Sequence, residues 1–324
     1  RLSVSRRWAR SIRREAGWLV ERAQPDLVLV FGETTYPAAR AAATKAGAPL
    51  VVALRSNMRA ELSALGAHRG PAALRSVFAL AERIVTSLRE RSLARTARRL
   101  VFQTEFDRED FVRRHPVDER RTSVVPNSID ASWFDPAQRD ANRSARLHRV
   151  IFVGTLNRRK GVMVLLDAFS RLVGKGIDIS LEVIGSGPLY ARVRKLVERD
   201  GLNDRVFLHG PKPGAVSLIA QADLLAVPSL YDSFPNVLLE ALHTGTPALG
   251  TRAGGIPEIL AADELLVPPG DPAALAAAIE RLVCDPDAYR KAKQLVAKRR
   301  ATFEFDWVGR FEAELEYSVS HSRL

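Results

Sequence analysis

Two acids and three adjacent cations are the side chains whose types and spacing could do chemistry together. Asp232 and Glu240 lie in DSFPNVLLEALHTGTPALGTRAGGIPEIL (232–260), and Arg158, Arg159 and Lys160 lie in RVIFVGTLNRRKGVMVLLDAF (149–169). Each stretch reads as the end of an apolar strand, a turn, and the start of a helix. Three cations at a helix entrance oppose the helix dipole, so little is gained by placing them there unless an anion binds. The helix that begins near Pro235 offers free N–H groups at Phe234, Asn236 and Val237, the groups that hold a phosphate. Ser233 or Asp232 is expected to cap it, with Pro235 in its first turn. Glu240 sits about one turn inside and shares a face with Asn236, His243 and Thr244. Cations and amides of this kind would hold a pyrophosphate. Glu240 could then accept hydrogen bonds from ribose hydroxyls, and Asp232 from those of an attached sugar. The plain alternatives are the wet face of a surface helix and a basic surface turn.

Two further turns bear on the choice. Gly254 and Gly255 allow backbone to approach a ligand closely. Gly185-Ser186-Gly187, in VIGSGPLYARVRKL (183–196), separates strand from helix but is not the GxGxxG dinucleotide fingerprint.

These turns need a sheet edge to sit on. Short β-type runs occur at 26–32, 49–55, 99–104, 122–126, 149–154, 179–185, 205–210, 223–229, 247–251 and 264–268, with helix-length segments between them. Regular βα alternation predicts parallel sheets with right-handed crossovers. The fold class expected is therefore α/β, with two Rossmann-like βαβ domains facing a cleft. The polar stretch 130–148 marks the boundary. This predicts an N-terminal domain over 1–140, a C-terminal nucleotide-binding domain over 146–300, and a final amphipathic helix within 301–324 that packs back on the first domain. The first domain has about four strands against six in the second. It lacks the opening strand and glycine-rich turn usual in such domains, so an absent N-terminal segment is expected.

Composition narrows the function. The chain has 324 residues and a net charge of +12. Residues 1–145 hold 26 Lys+Arg against 16 Asp+Glu, whereas the rest holds 23 against 21. The excess gathers at Arg6, Arg7, Arg10, Arg13 and Arg14 and in RIVTSLRERSLARTARR (83–99). A basic half attracts anionic lipid, phosphorylated substrate or nucleic acid. Residues 83–99 contain no aromatic side chain, which argues against nucleic acid. The single cysteine, Cys284, excludes an internal disulfide framework and reads as helix packing in a reducing compartment. No metal is expected. The six histidines lack ligand spacing, and Asp285-Pro-Asp287 reads as a helix cap. No apolar stretch approaches the ~20 residues of a membrane helix.

The motifs resemble the retaining glycosyltransferases of family 4, which have the GT-B fold. SVVPNSID (123–130), IFVGTLNRRKG (151–161), LEVIGSGP (181–188), VFLHG (206–210) and residues 222–260 occur in the family's order. The resemblance implies transfer of a sugar from a nucleotide-sugar donor to an acceptor hydroxyl with anomeric configuration retained. A cytoplasmic enzyme of cell-envelope or exopolysaccharide synthesis, at the membrane's inner face, is the family-level expectation. Catalytic roles fall on Lys160, Asp232 and Glu240. Gly154, Arg159, Ser233, Phe234, Pro235, Asn236 and Val237 are the substrate-binding positions. The partners implied are the donor, a glycan or lipid-linked acceptor and an anionic membrane surface. There is no cofactor and no nucleic acid among them. The chain departs from the pattern at three places. Asp232 stands where glutamate is usual, Thr155 where an arginine often follows the turn's first glycine, and Arg55-Ser56-Asn57 where relatives carry a histidine. Arg158 or Arg159 would supply the missing charge. The rival readings are a nucleotide-sugar epimerase on the same plan and a basic membrane- or nucleic-acid-binding module.

Overall fold

The computed structural model describes residues 18, 20–33, 35–57, 59–61, 72–129, 134–142 and 145–320, without the side chains of 72–82. Arg6 to Arg14, His68, His321 and residues 130–133 and 143–144 of the expected boundary lie outside the described residues. The chain divides into two compact units. One comprises Arg1–Arg59, Ala67–Pro126 and Asp306–Leu324, and the other Ala60–Gly66 and Asn127–Phe305. The division thus falls at Pro126, ahead of the polar stretch.

The first unit is built on four parallel strands, β1 (Val28–Phe31), β2 (Leu50–Ala53), β3 (Arg99–Phe102) and β4 (Thr122–Val124), in the order β1-β2-β3-β4. All four residues of β2 are buried, because both faces of the sheet are covered. One face packs Leu50, Val52, Leu100 and Phe102 against Tyr36, Leu93, Ala97 and Phe111 of the crossover helices and their ends. The other packs Val51, Ala53 and Val101 with Val125 and Phe311. Phe311 comes from the last helix, Trp307–Ser320, and its ring lies 5.5 Å from Phe31 and 4.9 Å from Trp307. Arg99 Nε donates to Glu314 of the same helix at 2.7 Å.

The second unit has six parallel strands: β5 (Arg149–Val153), β6 (Ser180–Ile184), β7 (Val206–Gly210), β8 (Leu224–Val227), β9 (Ala248–Thr251) and β10 (Leu266–Val267). Their order is β10-β9-β8-β5-β6-β7. The chain builds outward from β5 to β7, then returns to the other side of β5 and builds outward again. The strand order therefore reverses between β5 and β8, and the crevice of such a sheet opens at the carboxyl ends of those two strands. All ten strands among the described residues lie within the runs expected of them.

Two readings are corrected here. Cys284 is exposed and does not pack. It is the last residue of helix Pro272–Cys284, whose buried stripe is Leu275, Ala276, Ile279 and Leu282, and position 284 falls off that stripe. The second concerns the cap of helix Asn236–Thr244, described below. Asp285 caps helix Pro286–Arg300 through the amides of Asp287 at 2.9 Å and Ala288 at 3.1 Å.

Candidate functional site

The turn after β5 is held by the turns on either side of it. Leu156 N donates to Ser186 O at 2.9 Å, and Leu189 N returns to Leu156 O at 2.9 Å. On the other flank Leu230 N donates to Arg159 O at 2.7 Å. Gly161 has a φ of +71°, and a Cβ there would lie 1.8 Å from the carbonyl oxygen of Pro228. Only glycine fits this contact. Lys160 N donates to Asn157 Oδ1 at 2.9 Å, which fixes the cationic run at the end of the turn.

The cations meet an acid across the reversal point. Lys160 Nζ lies 2.5 Å from Asp232 Oδ2. Arg159 Nη1 lies 3.5 Å from Asp232 Oδ1 and 3.3 Å from the carbonyl oxygen of Tyr231, while its Nε pairs with Glu61 Oε1 at 2.9 Å. The Asp232 carbonyl oxygen accepts from Gly255 N at 3.0 Å. Gly254 has a φ of +58°, and a Cβ on it would come within 2.1 Å of that oxygen. The turns after β5, β6, β8 and β9 are thus laced into one edge by main-chain contacts. Arg158 is exposed and has no ion pair among the described residues.

Helix Asn236–Thr244 begins at Pro235, and no side chain caps it. The expected cap from Ser233 or Asp232 is absent because both side chains are engaged elsewhere. Ser233 Oγ bonds the Tyr231 hydroxyl at 2.8 Å, and Asp232 holds Lys160. The N–H groups of Phe234, Asn236 and Val237 consequently have no acceptor among the described residues. The Phe234 ring is buried, 5.9 Å from Phe303, so this residue offers its amide. Asn236 Oδ1 accepts from Asn127 Nδ2 at 2.6 Å.

Glu240 is the unusual member of this helix. Its Oε2 is buried with no hydrogen-bond partner, and burial pushes its carboxyl above the usual range. An orphaned carboxylate oxygen costs stability unless something with hydroxyl or amide hydrogens arrives to satisfy it. The face Glu240 shares is wet only at its start, where Asn236 is exposed. His243 and Thr244 are buried, with His243 Nε2 bonded to Asp135 O at 2.9 Å and its ring 5.0 Å from Phe134.

The sequence reading missed Glu61 and Tyr231. Glu61 sits 98 residues before Arg159 in an unpatterned segment, so no local signal marks it. Tyr231 stands beside Asp232, and its hydroxyl bond to Ser233 could have been suspected from the pairing. In the first unit Arg55 is exposed, whereas Asn57 is buried and donates to Asp110 Oδ2 at 2.7 Å. Among the described residues no group of three His, Cys, Asp or Glu side chains could hold a metal, and no helix is long and apolar enough to cross a membrane.

A parallel sheet whose strand order reverses beside a run of cations defines an α/β unit of the Rossmann type, here accompanied by a second parallel-sheet unit. The chain belongs to the family 4 glycosyltransferases and has the GT-B fold. Residues 148–285 match the family model "Glycosyl transferases group 1", and residues 1–128 match "Glycosyl transferase 4-like domain". The D-inositol 3-phosphate glycosyltransferase of Corynebacterium kroppenstedtii is 34% identical over an alignment of length 237 that covers 67% of this chain and 52% of that protein. The GDP-mannose-dependent alpha-(1-6)-phosphatidylinositol dimannoside mannosyltransferase of Mycobacterium tuberculosis is 30% identical over 64% of this chain and 54% of that protein. The chain therefore spans about half the length of the curated relatives it matches. Among solved structures, sucrose-phosphate synthase from Thermosynechococcus elongatus has a TM-score of 0.77 at 22% identity, covering 94% of this chain and 77% of its own. HepE from Anabaena, solved with UDP and glucose, has a TM-score of 0.72 at 20% identity, covering 94% and 81%.

Proposed function

We propose that this chain is a retaining hexosyltransferase that moves a sugar from a nucleotide-sugar donor to an acceptor hydroxyl. One observation carries the reading. Lys160 and Arg159 meet Asp232 at the reversal point, and the helix that follows offers the amides of Phe234, Asn236 and Val237, without acceptors among the described residues, and an orphaned Glu240 carboxylate about one turn further in.

In this reading the diphosphate takes the place beside Lys160 that Asp232 occupies in the structure. Gly154, Arg159 and the amides from Ser233 to Val237, around Pro235, complete the cradle. Glu240 accepts from the ribose hydroxyls and satisfies its buried Oε2. Asp232, released from Lys160, accepts from hydroxyls of the transferred sugar. The bond between the anomeric carbon and the β-phosphate oxygen then breaks. Lys160, Arg159 and the helix amides stabilise the charge growing on that oxygen. The acceptor oxygen bonds to the same face of the sugar, and its proton passes to the leaving phosphate. No metal is required, because the two cations take that charge.

The name of one relative, a phosphatidylinositol dimannoside mannosyltransferase, favours a lipid-linked acceptor and with it a cytoplasmic enzyme working at an anionic membrane surface, whereas the name of the other, a D-inositol 3-phosphate glycosyltransferase, points to a small phosphorylated polyol. The test is a thermal-shift panel of UDP-, GDP- and ADP-sugars on the wild-type chain and on Glu240→Ala. One donor should stabilise the wild type and lose at least tenfold in affinity in the variant. No stabilisation by any sugar nucleotide, or equal affinity in the two proteins, would overturn the reading.

A further inference from the structure

The first unit carries a basic pocket on the edge of its sheet opposite the carboxyl ends of the strands. It has a volume of about 590 Å³ and takes in Pro49 and Leu50 at the start of β2 and Ala97 just before β3. Four arginines line it, Arg40, Arg95, Arg98 and Arg121, and no lining residue is acidic. The size is that of a small-ligand site.

The bland explanation is that these arginines serve the helices that end there. Helices Tyr36–Ala46 and Ala72–Thr96 both point their carboxyl termini at this region. Arg121 fits that account, since its Nη2 donates to the carbonyls of Ala97 and, at 2.9 Å, Ala94. Arg40 Nη1 is engaged by the neutral Ser92 hydroxyl at 2.9 Å. Two helix ends, however, supply about half a negative charge each, about one charge in all. Four guanidinium groups exceed that by about two even when Asp118, the acid that acts on Arg121, is counted. The side chains of Arg95 and Arg98 have no hydrogen bond or ion pair among the described residues. Burial, and then the nearby charge of Arg98, hold the Arg121 guanidinium below its ordinary range against the opposing pull of Asp118, so the arginines repel one another. A concave wall lined by one sign of charge focuses the field on an incoming counter-ion. Guanidinium forks match phosphate oxygens in pairs.

We propose that this pocket binds a phosphorylated ligand carrying at least two negative charges, gripped by Arg95 and Arg98 and flanked by Arg40 and Arg121. The site shares no residue with the donor edge of the second unit and does not depend on the function proposed for it. The phosphate could be that of a soluble metabolite or of a lipid headgroup, and the chemistry of the grip is the same.

The test titrates inorganic pyrophosphate calorimetrically into the Lys160→Ala chain, which lacks the principal cation of the donor edge. Arg95→Gln/Arg98→Gln in that background should weaken binding at least tenfold with an unchanged melting temperature. Arg192→Gln/Lys195→Gln, an equal loss of charge on the second unit, should weaken it less than twofold. A parallel arm sediments the same proteins with vesicles of phosphatidylcholine, with and without phosphatidic acid. Arginine-dependent binding of pyrophosphate assigns a soluble phosphate, and arginine-dependent binding only to phosphatidic acid vesicles assigns a headgroup. Both support the site. No binding in either arm, or equal effects of the two charge-matched pairs, would overturn it.

Discussion

Lys160 Nζ and Asp232 Oδ2 meet at 2.5 Å across the gap between the turns after β5 and β8. Their side chains are only 20% and 10% exposed. The pair therefore sits where water screens it poorly and a missing partner is felt. In the proposed function this is also the lysine that meets the diphosphate.

Lys160→Ala should lower turnover about 10²–10³-fold, the usual effect of removing one group that stabilises a developing oxyanion. It should also cost roughly 1–3 kcal/mol of stability, because Asp232 is left with Arg159 at 3.5 Å as its remaining cation among the described residues. Lys160→Ala/Asp232→Ala should recover part of that stability and none of the turnover. Denaturant melts and initial rates on the three variants test this. A double variant less stable than Lys160→Ala would contradict it.

Glu240→Gln should separate stability from binding. Burial raises the folded pKa of Glu240 above its unfolded value. The stability linked to this group is therefore full below the unfolded pKa and is lost as pH rises through the folded one. The amide removes that loss, so the variant should melt higher than wild type at pH 8 and equal to it near pH 4. Its thermal shift with the preferred sugar nucleotide should nevertheless shrink. A lower melting point at pH 8 would count against the account of Glu240.

Gly161→Ala should destabilise the second unit by about 3 kcal/mol or more, since its φ of +71° and the 1.8 Å approach to Pro228 O leave no room for a methyl group. Gly174→Ala is the control, because nothing lies within 4 Å of the added carbon. Equal urea midpoints for the two variants would refute the close contact.

Glu33 should make the first unit sensitive to neutral pH. Burial, reinforced by Glu90 and Asp107 against Arg89 and Arg114, pushes its carboxyl up to about 7. Glu33 Oε2 is buried without a partner, and Glu90 is itself held by Arg114 and by His115 at 3.0 Å. The contribution of Glu33 is complete below its unfolded value near 4.5 and is lost as pH rises through about 7. Glu33→Gln should raise stability at pH 8 by roughly 1–3 kcal/mol and flatten the profile between pH 5 and 8. An unchanged profile would show that Glu33 titrates normally.

Much of this was legible along the chain. A buried parallel strand needs a continuous apolar run, and a crossover needs a helix between runs, so DLLAVPS and RVIFVG announced themselves. Gly161 and Gly254 were legible as turn glycines but not as residues in contact with another turn. The reading of Cys284 failed because an apolar residue at a helix end looks the same whether the buried stripe reaches it or stops two positions earlier. The expected cap of helix Asn236–Thr244 failed for a related reason. Asp232 and Ser233 have the right chemistry for capping, but Lys160 and Tyr231 compete for them.

Sequence alone determined the βα alternation, the four- and six-strand sheets and the family, because local periodicity and motif order are properties of a few neighbouring residues. Tertiary structure alone decided the Lys160–Asp232 pair, the Arg159–Glu61 bridge, the orphaned Glu240 oxygen and the arginine pocket. Each joins residues brought together by strand order or left stranded by burial. Neither strand order nor solvent exclusion is written in any one stretch of chain.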